Sequence, residues 1–144
     1  MNRVVLISLL LLAGCSIASI LAMSQSPQRA EPSSNKSKAT IEGLVRDIAC
    51  PIQNLEAKAT DFNLRCALEC ARHGSPLVIQ TKDGDLYIPI SDSMPDTDQR
   101  EKLMPFVGKY VRASGTVYER KGTRAIVIGE IKELKDVKLT TDVK

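Results

Sequence analysis

The sequence predicts a mainly β domain with two helices: a five-stranded barrel of the OB type with an extra cysteine-bearing helix between its first and second strands. Three observations predict it. Residues 39–134 run as strand, helix, hairpin, helix, hairpin. The pair Asp83-Gly84 divides two apolar runs, and such a pair tolerates the positive φ of a tight turn. A capped, helix-compatible stretch then falls between the third and fourth strands, where this connectivity places its helix.

The elements follow in order. ATIEGLVRDIAC, residues 39–50, sets β-branched and apolar residues around one glycine and reads as a long strand, bent or bulged at Gly43. The next helix starts near Thr60 or Asp61, either of which can cap it, and ends at Gly74, which suits a left-handed terminus, with Pro76 just beyond. PLVIQTKDGDLYIPI, residues 76–90, is the first hairpin. DTDQREKLMPFVG, residues 96–108, opens on a capping aspartate and stays helical as far as Met104, before Pro105 stops it. In KYVRASGTVYERKGTRAIVIGEIKEL, apolar and polar residues alternate from Val111 to Tyr118, and a turn at Lys121-Gly122 leads into the last strand. The cysteine-bearing helix lies in the first of the two loops with which OB barrels usually hold ligands.

The ends of the chain differ from its middle. MNR is a short positive region, and residues 4–23 form an apolar run broken only by small polar residues, so the protein is expected to be exported, on the periplasmic or cell-surface side. Three fates fit residues 1–23. LAGC, ending at Cys15, has the form of a lipobox whose cysteine is lipidated; AMS, residues 22–24, offers an ordinary cleavage site; and a 20-residue run can span about 30 Å of hydrocarbon as an uncut anchor. Two of the three leave the protein bound to the membrane, through a lipid or an apolar anchor. Residues 24–38, rich in serine and proline, read as a flexible linker, and residues 135–144 as a polar tail that frays.

Composition excludes several roles. A formal charge of +3 on intermixed acidic and basic residues gives no tract for nucleic acid, and the absence of tryptophan leaves little for base stacking. Nucleophile-elbow, zinc-protease and phosphate-loop motifs are missing, and a single histidine leaves no spare base for a serine, so the chain is read as a non-catalytic module. Asp83, Asp85, Asp92, Asp96 and Asp98 read as turn and cap residues, since SDSMPDTD lacks the glycine and terminal glutamate of a calcium loop.

The chemistry gathers in RCALECARHG, residues 65–74. On a helical wheel begun at Phe62, His73, Cys66 and Cys70 fall at about 20°, 40° and 80°, while Ala67, Ala71, Leu64 and Leu68 fall between about 140° and 240°. The thiols are therefore offset from the apolar stripe, with Arg65 and Glu69 as an i,i+4 pair at its edge. Cys50, at the end of the first strand, is separated by 15 residues from Cys66, enough to reach over the helix. Cys50, Cys66, Cys70 and His73 could surround one zinc ion tetrahedrally, and soft sulfur would equally suit cuprous copper. Two alternatives stay open: a disulfide from Cys50 to either helical cysteine, with one spare thiol and no metal, in an OB module that binds a ligand or a protein; and a thiol redox protein.

The frames GLVRDIACP, CALECARHGSPL, DGDLY and GKYVRASGTVYERKG resemble a group of small exported bacterial proteins with an OB-like domain and a CxxxC helix. The resemblance covers about residues 39–134 and implies export and fold; the activity of that group is undefined, so it implies no substrate. A more distant likeness to periplasmic OB-fold haem chaperones carries no matching haem-attachment histidine.

Overall fold

The computed structural model describes residues 35–141. Cys15, the apolar run and most of the linker lie outside the described residues. Among the described residues no helix is long and apolar enough to cross a membrane.

Five strands close into a barrel. They are β1 (Asn35–Asp47), β2 (Leu77–Gln80), β3 (Leu86–Ile90), β4 (Tyr110–Arg120) and β5 (Thr123–Glu133), hydrogen-bonded in the circular order β1-β2-β3-β5-β4. All neighbours are antiparallel except β3 and β5, whose parallel pairing from Tyr87↔Arg124 to Ile90↔Val127 closes the cylinder and leaves no long open edge. Between β1 and β2 stand α1 (Ala49–Gln53) and α2 (Leu64–Arg72), and between β3 and β4 stands α3 (Arg100–Leu103), followed by a 3-10 turn over Met104–Phe106. The predicted OB-like architecture, with a helix inserted between strands one and two, is the one found.

Turn chemistry decides the hairpins. Lys121 and Gly122 both have positive φ, 50° and 83°, which is what a two-residue turn between right-twisted strands needs. Gly84, at φ 89°, does the same work in the β2–β3 turn, where Thr81 donates its N–H to the Asp85 carbonyl at 2.9 Å.

Several boundaries differ from expectation, each for a stated reason. β1 begins at Asn35 rather than at 39, because residues 35–38 pair with Thr116 to Glu119 of β4; the expected linker is shorter by four residues. β1 also ends at Asp47, and Cys50 sits on the short helix α1 instead of the strand. Gly43 is no bulge: its register continues unbroken, but a Cβ there would run into the backbone carbonyl of Gln80. α2 is capped by Asn63, not by Thr60 or Asp61, which pair with the C-terminal segment instead. The helix expected from Asp96 is confined to Arg100–Leu103, since Asp96 turns back to the backbone N–H and hydroxyl of Ser91, both at 2.7 Å. Asp98, one residue before the helix's N-cap Gln99, accepts the Arg100 N–H at 2.9 Å.

Residues 135–141, the described part of the expected tail, pack against the domain rather than fray. Thr140 brackets the start of α2, accepting from Phe62 N–H at 2.9 Å and donating to Thr60 carbonyl at 2.8 Å, while Leu134, Val137 and Leu139 pack under it.

Two apolar clusters result. The barrel interior holds Ile41, Val45, Ile79, Val111, Ala113 and Ile126 with Ala71 of α2 plugging one end. A second cluster outside the barrel wall joins Leu44, Ala59, Phe62, Ala67 and Tyr110. The two alanines, both fully buried, let the helix backbone sit close to each cluster, so the α2 face predicted to be buried is the buried one. The opposite face is left for the thiols.

Candidate functional site

Asn63 fixes the helix that carries two of the thiols. Its side-chain oxygen accepts the Cys66 backbone N–H at 2.8 Å, which satisfies one of the free donors of the first turn. Cys66 is therefore at the third position of α2, exposed, and Cys70 one turn later, half-buried.

Cys50 arrives from α1, and Asp47 is what brings it. The Asp47 carboxylate Oδ1 accepts the Cys50 N–H at 2.9 Å, bending the chain from the end of β1 into the helical turn. The half-buried Cys50 thiol is near enough to Cys66, and Cys66 to Cys70, for each pair to influence the other's protonation. Two elements, α1 and α2, supply these three thiols, and all three are free.

His73 stands apart from this row. It is the C-terminal cap of α2, its side chain is 83% exposed, and its Nε2 lies 3.9 Å from Glu69 Oε2. Glu69 also faces Arg72 at 3.7 Å, so the expected Arg65–Glu69 pair is replaced by pairs with Arg72 and His73, three and four positions on. Among the described residues, no three or more Cys, His, Asp and Glu side chains are already gathered tightly enough to hold an ion.

Burial and local charge raise two of the thiols, Cys50 and Cys66. Burial pushes Cys50 up from the ordinary thiol value, against the opposing pull of the Arg46 guanidinium, and the negative charge of Asp47 adds to the rise. Cys66 is also raised, first by partial desolvation and then by its contact with Cys70 and the charge of Asp47. Thiols raised in this way are poor nucleophiles at neutral pH.

Two residues that sequence reasoning passed over stand beside them. Arg46, 2% exposed, donates from Nη1 to Gln80 Oε1 at 3.2 Å and lies 5.9 Å from the Phe62 ring centroid. Gln80 in turn donates to the Ala57 carbonyl at 2.7 Å, tying the α1–α2 loop to the barrel. Among the described residues Arg46 has no carboxylate partner, and its Nε has no hydrogen bond. Asp47 is fully buried, and its Oδ2 likewise has no partner. The available signal was the pair Arg46-Asp47 within an otherwise apolar strand end, LVRDIAC.

No family model matches this chain, and none of the curated proteins or solved structures matches it either.

Proposed function

We propose that this protein is an exported, membrane-tethered OB-like module that binds one transition-metal ion, zinc or cuprous copper, through the thiolates of Cys50, Cys66 and Cys70, without turnover. One observation carries the reading: Cys50, with 15 residues between it and Cys66, is brought near the CxxxC helix by a separate helix anchored at Asp47. A structural role alone gives no reason for two elements to present three free thiols together on the face of α2 turned from both apolar clusters.

The upward shift of Cys50 and Cys66 speaks against redox chemistry. A disulfide exchanger needs a thiolate stabilised at neutral pH, whereas burial and the charge of Asp47 act in the opposite direction at both, with Arg46 opposing them at Cys50. A metal ion displaces the protons itself. Export follows from the N-terminal apolar run, and tethering from Cys15 or that run.

Metal analysis of protein purified without chelator, with thiol counting after denaturation, tests the reading. One equivalent of metal and three thiols released on its removal are expected. Failure to take up zinc or cuprous ion after anaerobic reduction ends it. The mutual influence of Cys66 and both neighbours on protonation supports a second reading, a Cys66 disulfide to one of them, which would give one thiol and no metal.

A further inference from the structure

An ion held by three thiolates still has a coordination position to fill, and the imidazole that sequence spacing suggested faces solvent and Glu69. Inside the site, one oxygen is without any partner. Asp47 is 0% exposed; its Oδ1 is occupied by the Cys50 N–H, while its Oδ2 is buried with no hydrogen bond among the described residues. Leaving a buried carboxylate oxygen unmatched costs free energy, and such groups in folded proteins are paired or coordinate metals. Because Oδ1 of the same carboxylate holds the Cys50 N–H at 2.9 Å, Oδ2 stands beside the turn that carries the Cys50 thiol.

We propose that Asp47, through Oδ2, is the fourth donor to the ion, and that this oxygen makes the site one for zinc rather than for cuprous copper. This rests on the metal reading above. Zinc accepts carboxylate oxygen at about 2.0–2.2 Å beside thiolate at about 2.3 Å in a tetrahedral shell. Cuprous ion is selected by soft sulfur and gains little from an oxygen.

The charge inventory agrees. Zinc with three thiolates and one carboxylate carries two net negative charges, which a half-buried pocket tolerates poorly alone. Arg46 supplies a buried cation whose field already reaches Cys50, and among the described residues it has no carboxylate partner. The unmatched oxygen and a guanidinium without a carboxylate partner, on adjacent residues, are then compensated by one event.

The test titrates reduced, metal-free protein with zinc alone and with cuprous ion alone, each against a chromophoric competitor. Asp47→Asn keeps an oxygen for the Cys50 N–H and the same volume, and thermal unfolding of the metal-free variant checks its fold. Zinc affinity is expected to fall about tenfold or more, with cuprous affinity within about threefold of wild type. His73→Ala should leave both unchanged. Unchanged zinc affinity in Asp47→Asn, an equal loss in His73→Ala, or binding of copper without zinc overturns the assignment while the metal reading stands. A wild type that binds neither ion, or a Cys66→Ser variant that binds as well as wild type, removes the metal reading and the assignment together. X-ray absorption of the zinc-loaded wild type gives an answer independent of any variant: three sulfurs and one light donor without imidazole outer-shell scattering are expected, and an imidazole signature overturns the assignment.

Discussion

Asn63 and Cys66 are joined by a side-chain to backbone hydrogen bond of 2.8 Å, so the residue that starts α2 also sets where its first thiol stands. Asn63→Ala should cost about 1 kcal/mol of stability, measured by denaturant unfolding of the metal-free protein. Because the first turn frays, zinc affinity should fall with it. A variant with unchanged unfolding midpoint would show that the cap contributes nothing.

Gln80 links Arg46 to the α1–α2 loop. Gln80→Ala leaves both the Arg46 head and the Ala57 carbonyl without their partner, and the expected loss is about 2–3 kcal/mol. Hydrogen exchange should speed up in residues 54–62 beyond any change in the barrel strands. Uniform acceleration would place the effect in global stability only.

Gly43 is required by close approach. An added methyl at this position meets the Gln80 carbonyl and the Ile79 side chain, and backbone cannot yield as a side-chain tip can. Gly43→Ala should destabilise by about 2–3 kcal/mol, read from chemical denaturation.

The C-terminal segment is a strut for the site. Deleting residues 135–144 removes Val137 and Leu139 from the second cluster, and removes the hydrogen bonds of Thr140 to Thr60 and Phe62. Circular dichroism melting should show a loss of several degrees, on the order of that expected for about 1–2 kcal/mol in a domain of this size. Zinc affinity should weaken with it, since the bonds lost bracket the entry to α2.

Acid should open the 91–97 loop. The backbone N–H and hydroxyl of Ser91 hold the Asp96 carboxyl below the ordinary aspartate value of 3.8. A group depressed on folding contributes stability that is present above its unfolded pKa and lost as pH falls through the lower folded value. Amide signals of Ser91 and Thr97 should therefore shift in acid, below 3.8, and Asp96→Asn should abolish that titration.

Much of the fold was legible because its signals are local. Asp83-Gly84 and Lys121-Gly122 announce turns through backbone conformation, and the placement of Ala67 and Ala71 on the buried face follows from helical spacing alone. Asp96 shows the limit: a capping residue by type, it is taken instead by Ser91, five residues earlier, and no propensity reveals that competition. The tail shows it too, since Val137 and Leu139 are sparse apolar residues whose value depends on a cluster assembled from distant elements.

The order of strands and helices, the hairpin turns and the two-faced character of α2 were decided by residue type and spacing, because backbone sterics and the helical and pleated periods act over a few residues. The fate of the chemical groups was not. A helical wheel places His73 beside Cys66 but discards distance along the axis, where seven residues are about 10 Å. Where each group ends up was decided by the folded barrel: α1 holds Cys50 through Asp47, Asp47 is buried with one oxygen unmatched, and His73 is left exposed beside Glu69. Burial and long-range contact set those outcomes, and neither exists until the chain has closed on itself.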